Sequence, residues 1–213
     1  IGQKELLKKK NIDSVILPNV IDTSSFTVGA DYDKTDFVYV GSLDKRKGFA
    51  DFYRVVKESS GHNFKVIGSP RDKTGNLYYE KLKSFENVKL TGRLSHEETL
   101  RQISESRALI STSPMEGFPN VFIEAWACGV PVLSLYVDPG NVIEKEELGV
   151  NAHGNINLLV EAINKIALNN GFVDRAKEYI RKNHELNMER KAEIGRMFTW
   201  IYEKNTSGGK SDA

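Results

Sequence analysis

A chain of 213 residues, 39% apolar and 28% charged, has the make-up of a soluble globular protein with one large domain, or one domain with appendages. A formal net charge of +1 excludes the broad basic field that nucleic-acid binding calls for. A single cysteine, Cys128, excludes an internal disulfide framework and fits a reducing, cytoplasmic setting.

Position 1 is Ile rather than Met, and no apolar signal core follows the lysine-rich stretch Lys4 to Lys10, so the chain is expected to be part of something longer. Residues 4 to 10 read as the end of a helix. Ser14 to Leu17 is a short apolar run leading into Pro18 to Asp22. Phe37 to Gly41 predicts a first strand, dense in β-branched and aromatic residues. After the turn Ser42 to Gly48, Phe49, Phe52, Val55 and Val56 recur at helical spacing. Phe64 to Gly68 predicts a second strand, Leu77 to Phe85 a helix, and Val88 to Gly92 a third strand. Ser95, with Glu98 three residues on, has the form of a capping box before a helix over Thr99 to Ser106.

Ala108 to Ser111 predicts a fourth strand, then a loop and a helix ending at Cys128. Gly129 stands where a left-handed cap is expected, with Pro131 just beyond. Pro131 to Leu135 predicts a fifth strand. Asn157 is the expected cap of a helix carrying Leu158, Leu159, Ala162, Ile163 and Ile166 on one face. The most apolar run, Ala125 to Val137, is shorter than the roughly 20 residues of a membrane span and contains Gly129 and Pro131. From Asp174 to Lys204 the pattern is helical, with an apolar stripe including Ile194, Met197, Phe198 and Ile201. Asn205 to Ala213 reads as a disordered tail.

Strands alternating with helices predict an α/β fold, a Rossmann-like parallel sheet with helices on both faces. Such sheets bind ligands at the carboxyl ends of their strands. Gly41-Ser42, Gly68-Ser69, Gly92-Arg93 and Ser113 to Gly117 are therefore expected to share one rim. The histidines, His62, His96, His153 and His184, show no metal-ligand interval.

The most telling stretch runs from Glu116 to Glu124. Two carboxylates bracket a Gly-Phe-Pro-Asn turn that opens a helix, where free backbone N–H groups face an anion and side-chain acceptors reach hydroxyls. Phosphate plus hydroxyls describes a nucleotide sugar. Gly117, Phe118, Asn120 and Val121 supply N–H groups, while Pro119 suits a first helical turn because it has no donor to waste. Glu116 is a ligand contact or an acid that merely complements the helix dipole. Glu124 lies in an otherwise apolar helix, where an unpaired carboxylate is too costly. It meets a basic partner in the core or faces a ligand cleft, and the cleft is the favoured reading. Lys47-Gly48 closes the first strand-to-helix turn, as a phosphate contact or as part of a solvated basic turn with Lys45 and Arg46. Arg93 sits on the same rim, facing phosphate, base or solvent.

At these residues the chain resembles the E-x7-E signature of the large retaining glycosyltransferase family with the GT-B fold. Ile16 to Asp22 is similar to the segment entering that family's second domain. Tyr39 to Gly48 looks like its first strand and phosphate turn, and Gly92-Arg-Leu matches the loop after its third strand. The resemblance covers residues 11 to 200. It implies two Rossmann-like domains, of which this chain is the C-terminal, donor-binding half plus the last helix of the N-terminal one. Residues 1–22 would end the N-terminal domain, 23–173 would bind the nucleotide sugar, 174–204 would cross back, and 205–213 would be the tail.

By the same resemblance, Glu124 holds the ribose hydroxyls, Glu116 holds those of the donor sugar, and Lys47 neutralises the leaving diphosphate. The amides of Gly117 to Val121 orient the donor, with Gly41 lining the turn. Many relatives carry an arginine where this chain has Ser42; either Lys45, Arg46 or Arg93 would compensate, or the donor would bind more weakly. No cofactor or essential metal is implied. The implied partners are a nucleoside diphosphate sugar and an acceptor sugar, lipid or glycan reached through the other half, and peripheral membrane association of the full-length protein is compatible with this. A related phosphorylase or nucleotide-sugar epimerase, or a non-catalytic nucleotide-binding module, stands as the alternative.

Overall fold

The structure is a computed structural model and describes residues 7–10, 19–23, 26, 36–166 and 171–207. Six strands form one sheet: Asp36–Val40 (β1), Asn63–Ile67 (β2), Val88–Gly92 (β3), Ala108–Ser111 (β4), Val132–Ser134 (β5) and Gly149–Asn151 (β6). Their spatial order is β3-β2-β1-β4-β5-β6, and every pairing is parallel. The chain thus winds outward from β1 to β3, returns to the far side of β1, and winds outward again through β6. This is an α/β, Rossmann-like sheet, and β1 and β4 flank its topological switch point, the usual ligand crevice of such folds.

The helices are Phe49–Glu58 (α1), Lys73–Leu82 (α2), His96–Ser104 (α3), Asn120–Ala127 (α4), Val142–Lys145 (α5), Ile156–Lys165 (α6), Phe172–Asn183 (α7) and Met188–Ser207 (α8). Alternation along the strands explains why helices cover both faces. Phe37 and Tyr39, Phe64 and Val66, Ala108 and Ile110, and Leu133 and Leu135 share one buried cluster with Phe49, Phe52, Val55 and Val56 of α1 and Leu159 and Ile163 of α6. The intervening Val38, Leu109 and Val132 are equally buried, and α3 packs on β1 while α4 packs on β4 and β5. Aromatic rings fill the first interface, with Tyr39 and Phe52 centroids 4.7 Å apart.

Several sequence expectations shift. The helix expected over Leu77 to Phe85 starts at Lys73 and ends at Leu82, because Asp72 caps it by accepting the Gly75 N–H at 2.6 Å. Gly75 inside the first turn hid that start. Ser95 does cap α3, accepting the Glu98 N–H at 3.1 Å, and the helix begins three residues before Thr99. The Glu98 carboxylate completes no capping box. It is bonded instead to Arg101 and Gln102, and the Arg101 guanidinium holds its pKa down at about 2. Asn155, not Asn157, caps α6 by accepting the N–H groups of Asn157 and Leu158. Leu158, expected on the apolar face, is accordingly exposed. The Gly129 cap is realised at φ 69°. β6 and α5 were not expected at all: three and four residues are too short for a period to show, and β6 exists through its pairing with β5.

Backbone contacts divide the chain into two compact units, Ser24–Lys182 and the combination of Ile1–Thr23 with Asn183–Ala213. In the sheet unit α7 is anchored by buried Phe172, Ala176, Tyr179 and Ile180. In the other, Ile21 forms a parallel bridge to Glu185, accepting the Leu186 N–H and donating to the His184 carbonyl, each at 2.9 Å. Residues 7–9 are helical, and the run 14–17 lies outside the described residues. Along α8, Ile194 and Met197 are half-buried while Phe198 and Ile201 are exposed. α8 continues through Ser207, three residues into the expected tail, since backbone hydrogen bonding propagates a helix past its apolar stripe; residues 208–213 lie outside the described set.

His184 ties this small unit together. Its Nδ1 lies 2.8 Å from the Asn19 carbonyl, which can only accept, so Nδ1 carries the proton. Burial first, and Arg190 second, push its pKa below the ordinary histidine value, with the Asn19 bond partly opposing them. The sign follows from linkage: above the unfolded value of about 6.5 both states are neutral and the contribution is complete. Below it the unfolded segment takes up a proton that the folded one resists. Exchange of the Ile21 and Leu186 amides, followed from pH 7.5 to 5.5 and corrected for intrinsic rates, should therefore lose protection as pH falls. Constant protection would refute the assignment.

Candidate functional site

The loops leaving β1 and β4 meet at the switch point. After β1 the chain turns through Ser42 to Gly48, and Asp44 organises that turn. The Ser42 hydroxyl donates to Asp44 Oδ2 at 2.8 Å, and the Lys47 N–H donates to Oδ1 at 2.8 Å. Asp44 is buried, so its carboxylate is compensated by these donors, with the exposed Arg46 guanidinium 3.8 Å away. Gly48 then adopts φ 66°, and a Cβ there would lie 1.9 Å from the Thr112 carbonyl oxygen at the end of β4. The Thr112 hydroxyl donates to the Gly48 carbonyl at 2.9 Å. Only a glycine lets the two loops approach this closely.

That approach brings Lys47 to Glu116. The Lys47 ammonium is paired with Glu116 Oε1, which also accepts from the Ser113 hydroxyl at 2.9 Å. Both side chains remain partly open, at 31% and 22% exposure. Beneath them lies buried Tyr39, whose hydroxyl donates to the Ser42 carbonyl at 3.3 Å. Burial, then Asp44, then Glu116 raise its pKa well beyond the ordinary phenol value, so it stays neutral.

Glu116 leads into α4, which starts at Asn120 after Pro119 with no side-chain cap and no acidic residue in its first turn. The N–H groups of Gly117 and Val121 have no partner among the described residues. Phe118 lies edge-to-face with Trp126 at 6.3 Å, its ring directed toward the hydrophobic layer. Glu124, one turn into α4, has a side chain 18% exposed, and its Oε1 lies 3.0 Å from His96 Nε2. Among the described residues no lysine or arginine claims it.

A separate cleft of about 220 Å³ opens at the carboxyl ends of β1, β2 and β3, lined by Gly41, Ser42, Gly68, Ser69, Arg71, Arg93, Leu94 and neighbouring residues. The Arg71 and Arg93 guanidinium groups have no hydrogen-bond or charge partner among the described residues, so the cleft is electropositive. The expected residues thus fall into three adjoining groups: Gly41, Ser42 and Arg93 in this cleft, Lys47 with Glu116 at the switch point, and Glu124 beside His96. The sequence reading missed Asp44, Thr112, Arg71 and His96; it placed Ser113 on the rim without its bond to Glu116. Only Asp44 carried a local signal, an acidic side chain placed to accept from the backbone three residues on. Among the described residues no group of three His, Cys, Asp or Glu side chains is arranged to hold a metal ion. Nor is any described helix long and apolar enough to cross a membrane.

Known proteins give this arrangement a context. Residues 20–183 match the family described as glycosyl transferases group 1. The chain is similar to a subunit of human phosphatidylinositol N-acetylglucosaminyltransferase, 26% identical over 158 residues that cover 70% of this chain and 32% of that protein. An uncharacterized glycosyltransferase of Methanocaldococcus jannaschii is 27% identical over 166 residues, covering 71% of this chain and 45% of its own. The chain therefore spans less than half the length of these curated relatives. In fold it resembles sucrose-phosphate synthase from Thermosynechococcus elongatus, with a TM-score of 0.79 at 20% identity over 95% of this chain and 57% of that one. The C-terminal domain of a group 1 family protein from Francisella tularensis superposes with a TM-score of 0.63 at 14% identity, covering 78% of this chain and 100% of that domain. With most of its length inside the family match, and with the parallel sheet of these solved structures, the chain belongs to the group 1 glycosyl transferases.

Proposed function

We propose that this chain is the donor-binding half of a glycosyltransferase that moves a sugar from a nucleoside diphosphate sugar to an acceptor with retention of configuration. The observation that carries the reading is the meeting of Lys47 and Glu116, 69 residues apart in sequence, at the switch point of the sheet. A partly exposed ion pair contributes only about 0–1 kcal/mol, so parting it for a diphosphate and a sugar hydroxyl costs little. Lys47 then faces the phosphate whose charge grows as the sugar leaves, and Glu116 accepts from the sugar. The uncapped start of α4 adds backbone N–H donors to the same anion. Glu124 grips the ribose, and the cleft beside Arg93 and Arg71 takes the rest of the nucleotide. Charge neutralisation by these groups requires no essential metal. The sheet unit holds the donor, while an N-terminal domain outside this chain brings the acceptor sugar, lipid or glycan.

Titrating the 213-residue chain calorimetrically with UDP, GDP and ADP tests the binding half. One of the three should bind, and Glu124→Ala should weaken it by about 10- to 100-fold, the worth of charge-assisted hydrogen bonds to hydroxyls. Silence from all three at millimolar concentrations, or an indifferent Glu124→Ala, would refute the reading.

A further inference from the structure

We propose that His96 is a positioning residue for the donor's ribose: it holds one oxygen of Glu124 so that the other is presented to a sugar hydroxyl. The inference rests on the donor-binding reading above and adds a residue that no sequence signal singled out.

His96 is the first residue of α3, and its backbone is fixed by the Ser95 cap. From there its ring reaches across to α4, where Nε2 meets Glu124 Oε1 at 3.0 Å. Because a carboxylate oxygen only accepts, Nε2 is the protonated nitrogen of the pair. Among the described residues neither side chain has another partner, so Glu124 Oε2 and His96 Nδ1 are both unclaimed. The terminal torsion of a glutamate is broad, and a carboxylate held at neither oxygen samples many orientations. One hydrogen bond to Oε1 removes that freedom and aims Oε2 at a fixed direction. The geometry is asymmetric in the manner expected of a ligand site: Glu124 is 18% exposed, whereas the ring that holds it is 66% exposed.

A pair with one member so open to water adds little to stability, which leaves orientation as its consequence. Position supports the same conclusion. α3 begins two residues after Leu94, which with Arg93 lines the cleft of about 220 Å³, and α4 begins directly after the Glu116 loop. The His96–Glu124 bond therefore joins the two helices whose entry loops form opposite parts of the candidate site. Holding the carboxylate in advance lowers the ordering cost when ribose arrives.

The test separates orientation from scaffolding. The 213-residue chain, His96→Ala and His96→Gln are titrated with UDP, GDP and ADP and with the 2′-deoxy and 3′-deoxy forms of each. The parent chain should favour a ribose diphosphate over at least one deoxy form by about tenfold, the value of one hydroxyl bonded to a carboxylate. His96→Ala should shrink that preference to about twofold while leaving affinity for the deoxy form nearly unchanged. His96→Gln keeps an N–H donor and should restore most of the preference. An unaltered preference in His96→Ala, or an equal loss on every ligand, overturns the inference while leaving the donor-binding reading intact. A parent chain that binds no diphosphate, or binds without regard to ribose hydroxyls, overturns that reading and the inference with it.

Discussion

Replacing Lys47 with alanine in the full-length enzyme should lower kcat by about 10²- to 10³-fold, the loss that follows removal of one fixed donor from a developing charge. KM should change far less. On the proposed reading Lys47 would meet the diphosphate most strongly as the bond to the sugar breaks, so its contribution would belong to the transition state rather than to the ground state. The fold should survive the change: the Lys47 backbone N–H, not its side chain, is bonded to Asp44, and the pair with Glu116 is partly solvated. Stopped assays with the labelled donor, run with and without EDTA, provide the measurement. Undiminished kcat would remove Lys47 from the mechanism, and a parent enzyme silenced by EDTA would move the charge neutralisation onto a metal.

Gly48→Ala should destabilise the chain by about 2–5 kcal/mol, the sum of forcing a side chain into the left-handed region and overfilling a packed contact. The new Cβ would stand 1.9 Å from the Thr112 carbonyl oxygen and 2.8 Å from its carbon, both backbone atoms that cannot rotate away. Thr112 is buried and bonded to Gly48 through its own hydroxyl, so relief requires separating the ends of β1 and β4. That separation would also part Lys47 from Glu116, and nucleotide binding should fail together with stability. Gly117→Ala is the control within the same site: its φ is not positive and a Cβ there meets nothing within 4 Å. Urea unfolding of both variants decides the matter. A cost below about 1 kcal/mol for Gly48→Ala would mean that the two loops relax apart easily.

How much of this was legible in the chain depends on the length over which each cause acts. Strands β1 to β4 and helices α1 and α4 were readable because their apolar periods and end signals are local: Phe49, Phe52, Val55 and Val56 share one helix face, and Gly129 ends another helix. α2 was misplaced by four residues because its cap, Asp72, precedes a glycine that ordinarily interrupts a helix. β6 escaped because three residues carry no period, and a sheet partner 17 residues earlier is what makes them a strand. The Glu98 carboxylate went to Arg101 rather than to its expected backbone donor, since a guanidinium one turn along is the stronger partner.

The candidate site divides along the same line. By itself the sequence determined which residue types stand at the carboxyl ends of the strands: Gly41-Ser42, Lys47-Gly48, Arg93, and the two glutamates around the start of α4. Local spacing fixes those, because a strand, its turn and the next helix are continuous in the chain. Only the tertiary structure decided that Lys47 reaches Glu116, that Thr112 meets Gly48, and that His96 meets Glu124. The reason is the crossover: β1 and β4 are neighbours in the sheet, yet β2, β3 and three helices separate them in the chain. The groups that meet there are chosen by sheet order and by a glycine's close approach, neither of which leaves a short-range mark.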